Sequence, residues 1–195
     1  SSWEILDCAG RIAAAGIGKA IAASIEDGGK LQQSIGGVET LFKSSAGMVK
    51  RYAQEAYRTT GVSANSYMEN VTSFAASLVS SCGGNTKKAA KLANTAMTDM
   101  GDNANKMGTD MELVQETYQS LARGNYEMLD NLKLGYGGTK SEMERLMKDA
   151  EKLTGEHYTV GDFGDTVKAI HAVQEHLKIT GTTAKEASTT LQGSF

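Results

Sequence analysis

The sequence predicts an all-α protein made of several short helices, and three observations support that prediction. Apolar residues recur at steps of three and four along the chain, which is the period of an amphipathic helix. No run of five or more residues alternates between apolar and polar, as a half-buried strand would. Proline is absent while glycine contributes 22 of the 195 residues, so helices are free of kinks but are interrupted often. We therefore expect an irregular bundle of glycine-punctuated helices without a sheet.

Two helices are predicted before residue 45. The first carries Ile17, Ile21 and Ile25 on one stripe and is expected to end at the "DGG" of residues 27–29, because glycine commonly follows the last helical residue. The second places four apolar residues at steps of four, three and four, which predicts one buried face: Leu31, Ile35, Val38 and Phe42.

Two further helices are predicted between residues 48 and 84. One runs through "MVKRYAQEAY" at residues 48–57. The other begins after Ser63, whose hydroxyl suits an N-cap, and ends at Gly83 and Gly84. The predicted inward residues of the second of these helices are Tyr67, Val71, Phe74 and Leu78.

The next two helices are predicted at residues 86–107 and from Thr109 to about Gly124. The first presents Met97, Met100, Ala104 and Met107, which we interpret as core, with an adaptable partner surface as the alternative. In the second, Thr109 and Glu112 stand three apart, which predicts a capping box at its start. Its predicted buried residues are Met111, Val114, Tyr118 and Leu121.

The stretch "LGYGGTKSEMERLMKDAEKLTG" at residues 134–155 raises the question of a phosphate loop. A Walker-type loop needs the order G-x-x-x-x-G-K-[ST] after a strand, and "GYGGTK" has neither. Thr139 and Glu142 instead repeat the capping-box spacing, so Gly135, Gly137 and Gly138 are predicted to form a joint between helices. The helix that follows has one apolar stripe and is closed by Gly155: Met143, Leu146, Met147, Ala150 and Leu153.

The histidines offer no predicted catalytic or metal site. In "HAVQEH", His171 and Glu175 share a face, but His176 lies about 140° from His171 on a helical wheel, so the three cannot converge on one metal. His157 stands alone in a loop-like stretch. We predict no enzyme, no cofactor and no metal; a lytic or zinc activity that uses these histidines is the alternative.

The net charge, the cysteines and the amino-terminal residues further limit the functions that the sequence supports. A net charge of −3 with mixed signs gives no basic stripe for sequence-specific nucleic-acid binding, and Cys8 and Cys82 do not form a disulfide framework. Residues 1–27 are predicted to be an Ala/Gly-rich helix flanking a core at 28–195. Its isoleucines suggest a membrane contact as a hypothesis, but an ordinary core or oligomer-contact helix is favoured because the segment is weakly charged: Ile12, Ile17, Ile21 and Ile25.

Three long runs carry a resemblance to a known family: "KLQQSIGGVETLFKSSAGMVKRYAQEAYRTTGVSANSYMENVTSFAASL", "MTDMGDNANKMGTDMELVQETYQSLARGNYEMLDNLKLGYGGTKSEMERLMKDAEKLTG" and "ITGTTAKEASTTLQGSF". Over residues 26–195 the chain resembles the central segment of tail tape-measure proteins from long-tailed phages and prophages of Gram-positive bacteria. The first residue is not Met, and we expect the chain to be an excerpt of a longer protein.

The resemblance implies a virion component that lies in the tail tube, is assembled in the host cytoplasm, sets tail length and is expelled to help the genome cross the host envelope. Its implied partners are tail-tube and tail-tip proteins, tail assembly chaperones and further copies of itself, with possible contact to the host membrane after ejection. A helical adaptor that binds tail proteins without measuring is the alternative. Because glycine stops recur every fifteen to twenty-five residues, we expect a compact module and not a continuous rod.

Overall fold

A computed structural model describes residues 25–181 and Thr183. Helices make up most of this part of the chain, and it contains no strand, so the prediction of an all-α bundle is confirmed. Two 3-10 turns, Lys43–Ser45 and Leu129–Leu132, separate some of the helices. The α-helices are α1 (Ile25–Phe42), α2 (Ala46–Thr59), α3 (Ala64–Ser81), α4 (Thr86–Met107), α5 (Met111–Ala122), α6 (Lys140–Thr154) and α7 (Phe163–His176).

Side-chain caps and left-handed glycines set most helix ends. The Ser63 hydroxyl accepts the Ser66 N–H at the start of α3, as predicted. That helix ends before Gly83 and Gly84, which both have positive φ. Gly155 takes the left-handed conformation at φ 77° and closes α6. The capping residues and glycines therefore determine where these helices begin and end.

One predicted stop is wrong. The helix that carries Leu31 does not begin after "DGG"; α1 runs from Ile25 through Gly28 and Gly29 to Phe42. A glycine inside a helix costs only about 1 kcal/mol relative to alanine, and the buried face of α1 compensates for that cost. Ile12, Ile17 and Ile21 lie outside the described residues, as does the side chain of Ile25, so the predicted stripe stays a prediction.

The capping box predicted at Thr109 is also wrong. The N-cap of α5 is Asp110, whose carboxylate accepts the Glu112 N–H at 2.9 Å. The Thr109 hydroxyl turns away and donates to the Asn103 side-chain oxygen at 2.9 Å. Two residues able to cap stand side by side, and the buried amide of Asn103 takes the hydroxyl of the first.

The core surrounds α3, which packs against α1, α2, α4, α5 and α7, while α6 packs against α7. Met97 and Met100 are fully buried, as predicted for core residues. Phe74 of α3 meets Phe163 of α7 edge to face, with ring centroids 5.7 Å apart. Leu153 is an exception to the predicted stripe of α6: it lies near the end of that helix, and 43% of it is exposed.

Candidate functional site

A cluster of buried polar side chains joins α4 to α7, and we call it the polar clasp: Asp99, Asp102, Asn103, His171 and Gln174. All except His171 are fully buried. Aspartate is rarely found fully buried without a partner, so two such aspartates one helical turn apart indicate a built site. The clasp was not predicted from the sequence.

Asp99 and His171 form the half-exposed end of the clasp. The His171 Nδ1 atom lies 3.0 and 3.1 Å from the two carboxylate oxygens of Asp99. The Thr180 hydroxyl donates to the same carboxylate at 2.9 Å. Burial raises the pKa of Asp99, although hydrogen bonds from His171 and Thr180 oppose that effect. The hydrogen bond to Asp99 raises the pKa of His171, against the opposite effect of its own burial.

Asp102 holds the backbone that follows α7. Its carboxylate accepts the Gly181 N–H at 2.6 Å and the Thr183 N–H at 2.9 Å. We call residues 177–181 together with Thr183 the strap, because the clasp fastens this segment onto α4. Ile179 of the strap is buried, and its N–H donates to the Gln174 carbonyl at 2.8 Å.

Asn103 and Gln174 complete the clasp with amide hydrogen bonds. The Asn103 side-chain nitrogen donates to the Leu132 carbonyl at 2.8 Å and to the Gln174 side-chain oxygen at 3.0 Å. The Gln174 side-chain nitrogen donates to the Asp99 carbonyl at 3.1 Å. The clasp therefore connects α4, the 3-10 turn at Leu132, α7 and the strap in one network.

The chemistry open to this network is binding and orientation of backbone. An aspartate on the Nδ1 atom of a histidine also orients acid–base histidines in enzymes. Here the Nε2 atom of His171 faces Glu175 at 3.8 Å, as the four-residue spacing predicts, and no hydroxyl or thiol of the described chain bonds to it. The described part of the chain also contains no group of three His, Cys, Asp or Glu side chains that could hold a metal ion.

The other two histidines lie apart from the clasp. His157 is largely exposed, with its Nδ1 atom 3.5 Å from a carboxylate oxygen of Glu151. His176 is exposed and lies beside the end of α6, where it lines a small groove with Leu153. The structure therefore does not bring the three histidines together.

The glycine joint before α6 is built by its own helix. The Thr139 hydroxyl accepts the Glu142 N–H at 3.2 Å, which is the predicted cap. Glu142 does not bond back to Thr139 but accepts the Gly137 N–H at 3.1 Å. Gly135 has a φ of 94°, and a Cβ on Gly138 would lie 2.3 Å from the Glu127 carbonyl oxygen, so both positions require glycine.

Arg145 completes this joint. Its guanidinium lies 4.3 Å from the centre of the Tyr136 ring and donates to the Gly135 carbonyl at 2.7 Å. The hydrogen bonds from Arg145 and from the Gly137 N–H lower the pKa of Glu142 to about 2. The Tyr136 hydroxyl donates to Asp149 at 2.5 Å. The Gly137 amide is thus already bonded to a carboxylate, and the loop acts as a joint.

A wide groove of about 760 Å³ lies between α3, the end of α5 and the loop before α7. The Ser81 hydroxyl in it donates to Asp162 and accepts the Gly164 N–H at 2.9 Å. Asp162 is also the N-cap of α7. These polar groups therefore fix the start of α7. Cys82, next to the groove, is a half-buried free thiol whose pKa is raised by burial, and Cys8 lies outside the described residues.

Comparisons with known proteins add no relative. No protein-family model matches this chain, and no curated protein or solved structure is similar to it. Among the described helices, none is both long enough and apolar enough to cross a membrane.

Proposed function

We propose that this chain is a compact helical module of a phage tail tape-measure protein. The observation that carries the proposal is the resemblance over residues 26–195 to the central segment of that family. The signature "GYGGTK" of the resemblance is bonded into the start of α6, which is consistent with a structural part and not with a nucleotide site. In this proposal the module lies in the tail tube of the virion and leaves it ahead of the genome, with no enzymatic activity of its own.

The module, in this proposal, contributes a folded body and not length. Residues 25–181 would span about 235 Å as one continuous helix at 1.5 Å per residue. In the described chain the same residues fold back on each other around α3. A continuous measuring rod would then be supplied by other parts of the tape-measure protein.

A pair of substitutions that leave the chain length unchanged tests this proposal in the phage that encodes the chain. A Cβ on Gly101 would lie 2.5 Å from the Thr60 carbonyl oxygen, so Gly101→Val disrupts the contact between α4 and the end of α2. Gly29→Val is the matched control, since a Cβ at Gly29 meets nothing within 4 Å. We expect Gly101→Val to lower plating efficiency or to block assembly, while Gly29→Val plates normally.

An in-frame deletion distinguishes a packed module from an extended segment that measures tail length. Removing residues 109–155 shortens a stretched ruler by at most about 70 Å and leaves infectious particles. If the region is a packed module, the deletion removes α5 and α6 with their buried faces, and particles fail to assemble or to deliver DNA. Tail lengths from electron micrographs, read beside plating efficiency, distinguish the two. Infectious particles with shorter tails, together with a harmless Gly101→Val, would refute the module.

A helical adaptor without a measuring role is the second candidate. It is favoured by two large apolar side chains that remain exposed at the ends of neighbouring helices, Leu153 on α6 and Leu177 just after α7. An adaptor predicts stable capture of purified tail-tube or tail-tip protein by the isolated chain. It also predicts that deleting the whole chain in frame leaves tail length unchanged.

A further inference from the structure

A small groove of about 270 Å³ lies where the carboxyl-terminal ends of α6 and α7 meet. Leu153 and Leu177, which are 43% and 46% exposed, stand on its sides, and Val173 and Leu134 contribute further apolar surface. Exposed leucines are common singly, but here two of them line one concavity. The groove is large enough to accept one leucine side chain.

Lys152, His176 and Asp149 are the polar residues at the rim of this groove, and Lys152 is its one cation among the described residues. Lys152 and His176 are exposed and take part in no ion pair within the described part of the chain. The carboxylate of Asp149, which also borders the groove, is already occupied by the Tyr136 hydroxyl at 2.5 Å and by Arg145 at 4.0 Å. An occupant that presents an apolar side chain beside carboxylates therefore complements the groove.

The chain itself carries such a surface on α5. Leu113 is 37% exposed, and Glu112 and Glu116 are exposed as well. Glu116 follows Leu113 by three residues, so the two are neighbours on the surface of α5, and Glu112 lies one helical turn before Glu116 on the same flank. We call these three residues the acidic ridge. Neither glutamate forms an ion pair with another described residue.

We propose that the acidic ridge of one copy docks into the groove between α6 and α7 of a second copy. Leu113 would enter between Leu153 and Leu177, and Glu116 would face Lys152. Ridge and groove are different surfaces, so the contact is heterologous: each pairing leaves one free ridge and one free groove for a further copy. This inference does not depend on the tape-measure proposal.

The contact has a single apolar anchor with exposed charges around it, so it belongs to the weak, salt-dependent class of interfaces. Replacing a leucine anchor by asparagine is expected to weaken the association roughly ten- to hundredfold. Raising the salt concentration is expected to weaken it as well, because the rim charges are exposed to solvent.

Sedimentation of the purified 195-residue chain at low salt and submillimolar concentration tests the proposal. We expect reversible association by the unsubstituted chain and its loss in both Leu113→Asn and Leu177→Asn. Tyr57→Asn is the matched control, since Tyr57 is 80% exposed on α2 and outside both surfaces. Circular dichroism verifies that each variant is folded, which is expected because all three positions are exposed.

Mixing the two leucine variants shows whether the ridge of one copy binds the groove of another. Leu113→Asn keeps its groove and Leu177→Asn keeps its ridge, so an equimolar mixture is expected to form a one-to-one dimer although neither variant associates alone. In the same way, Glu116→Lys and Lys152→Glu should each weaken association, and a chain with both changes should recover it. A monomeric unsubstituted chain, association that survives both leucine variants, or a mixture that stays monomeric would each overturn the proposal.

Discussion

Replacing Asp102 by alanine should release the end of the strap, at Gly181 and Thr183, while the rest of the bundle stays folded. The Asp102 carboxylate accepts two backbone N–H groups, from Gly181 at 2.6 Å and from Thr183 at 2.9 Å. Hydrogen bonds to a charged group contribute about 1.5–3 kcal/mol each, so the two together hold the strap with about 3–6 kcal/mol. Because the strap can detach locally, the free energy of global unfolding should fall by less than that sum.

Hydrogen exchange of individual amides measures this effect. In Asp102→Ala we expect the Gly181 and Thr183 amides to exchange about a hundredfold faster or more, since 1.4 kcal/mol corresponds to a factor of ten. Amides in α3 should change little. Asp130→Ala serves as the control, because the Asp130 side chain is exposed and bonds to no backbone amide of the described residues. Equal acceleration throughout α3 and the strap, or none anywhere, would show that Asp102 does not act as the fastening of this segment.

Three further predictions concern stability and are measured by urea unfolding. Tyr118→Phe should stabilise the protein by about 1 kcal/mol, because the buried Tyr118 hydroxyl lacks a hydrogen-bond partner in the described chain; a loss of stability would reveal a hidden partner. The pKa of His171 is raised in the folded protein. Protonated His171 therefore stabilises the fold fully below its unfolded pKa of about 6.5, and this stabilisation is lost as the pH rises through the folded pKa. The raised pKa of Asp99 likewise makes the free energy of unfolding fall with rising pH, but at lower pH. His171→Gln should flatten the decline above about pH 6.5, and an unchanged slope would contradict the assignment. Gly138→Ala should cost roughly 3 kcal/mol, since its Cβ would overlap the Glu127 carbonyl, and a neutral result would mean that the joint adapts.

Helix periodicity and capping chemistry were sufficient to predict most of the fold. The stripe of α3 is buried where the sequence places it, and Ser63 caps the helix with its own hydroxyl. Apolar periodicity and capping are local signals, and here they agree with the tertiary packing. The failures arise where two local signals compete, as at Thr109 and Asp110, or where a glycine pair lies inside a helix whose face is already fixed by packing, as at Gly28 and Gly29.

The clasp could not be predicted because its residues lie on the wrong side of α4. Met97 and Met100 mark the apolar face of that helix, whereas Asp99 and Asp102 lie on the opposite face, which periodicity assigns to solvent, and Asn103 lies on the flank between the two. In the structure α7 and the strap cover that face, so α4 is buried on both sides at this level. The one signal in the sequence is that two short polar residues, Asp102 and Asn103, follow Asp99 at steps of three and four, which is the spacing of neighbours on a helix surface.

The compact form of the chain depends on tertiary packing and not on its backbone joints. The sequence contains no proline, so no residue forbids a continuous helix on backbone grounds. The joints at Gly108 and Gly155 are left-handed in the bundle, but glycine adopts right-handed helical angles with little steric cost. Compactness must therefore come from tertiary burial around α3, where each large apolar side chain contributes about 1.5–3 kcal/mol. A partner surface that buried the apolar faces of α3 and α4 in place of the other helices would therefore allow the chain to extend. A change at the glycine joints alone would not.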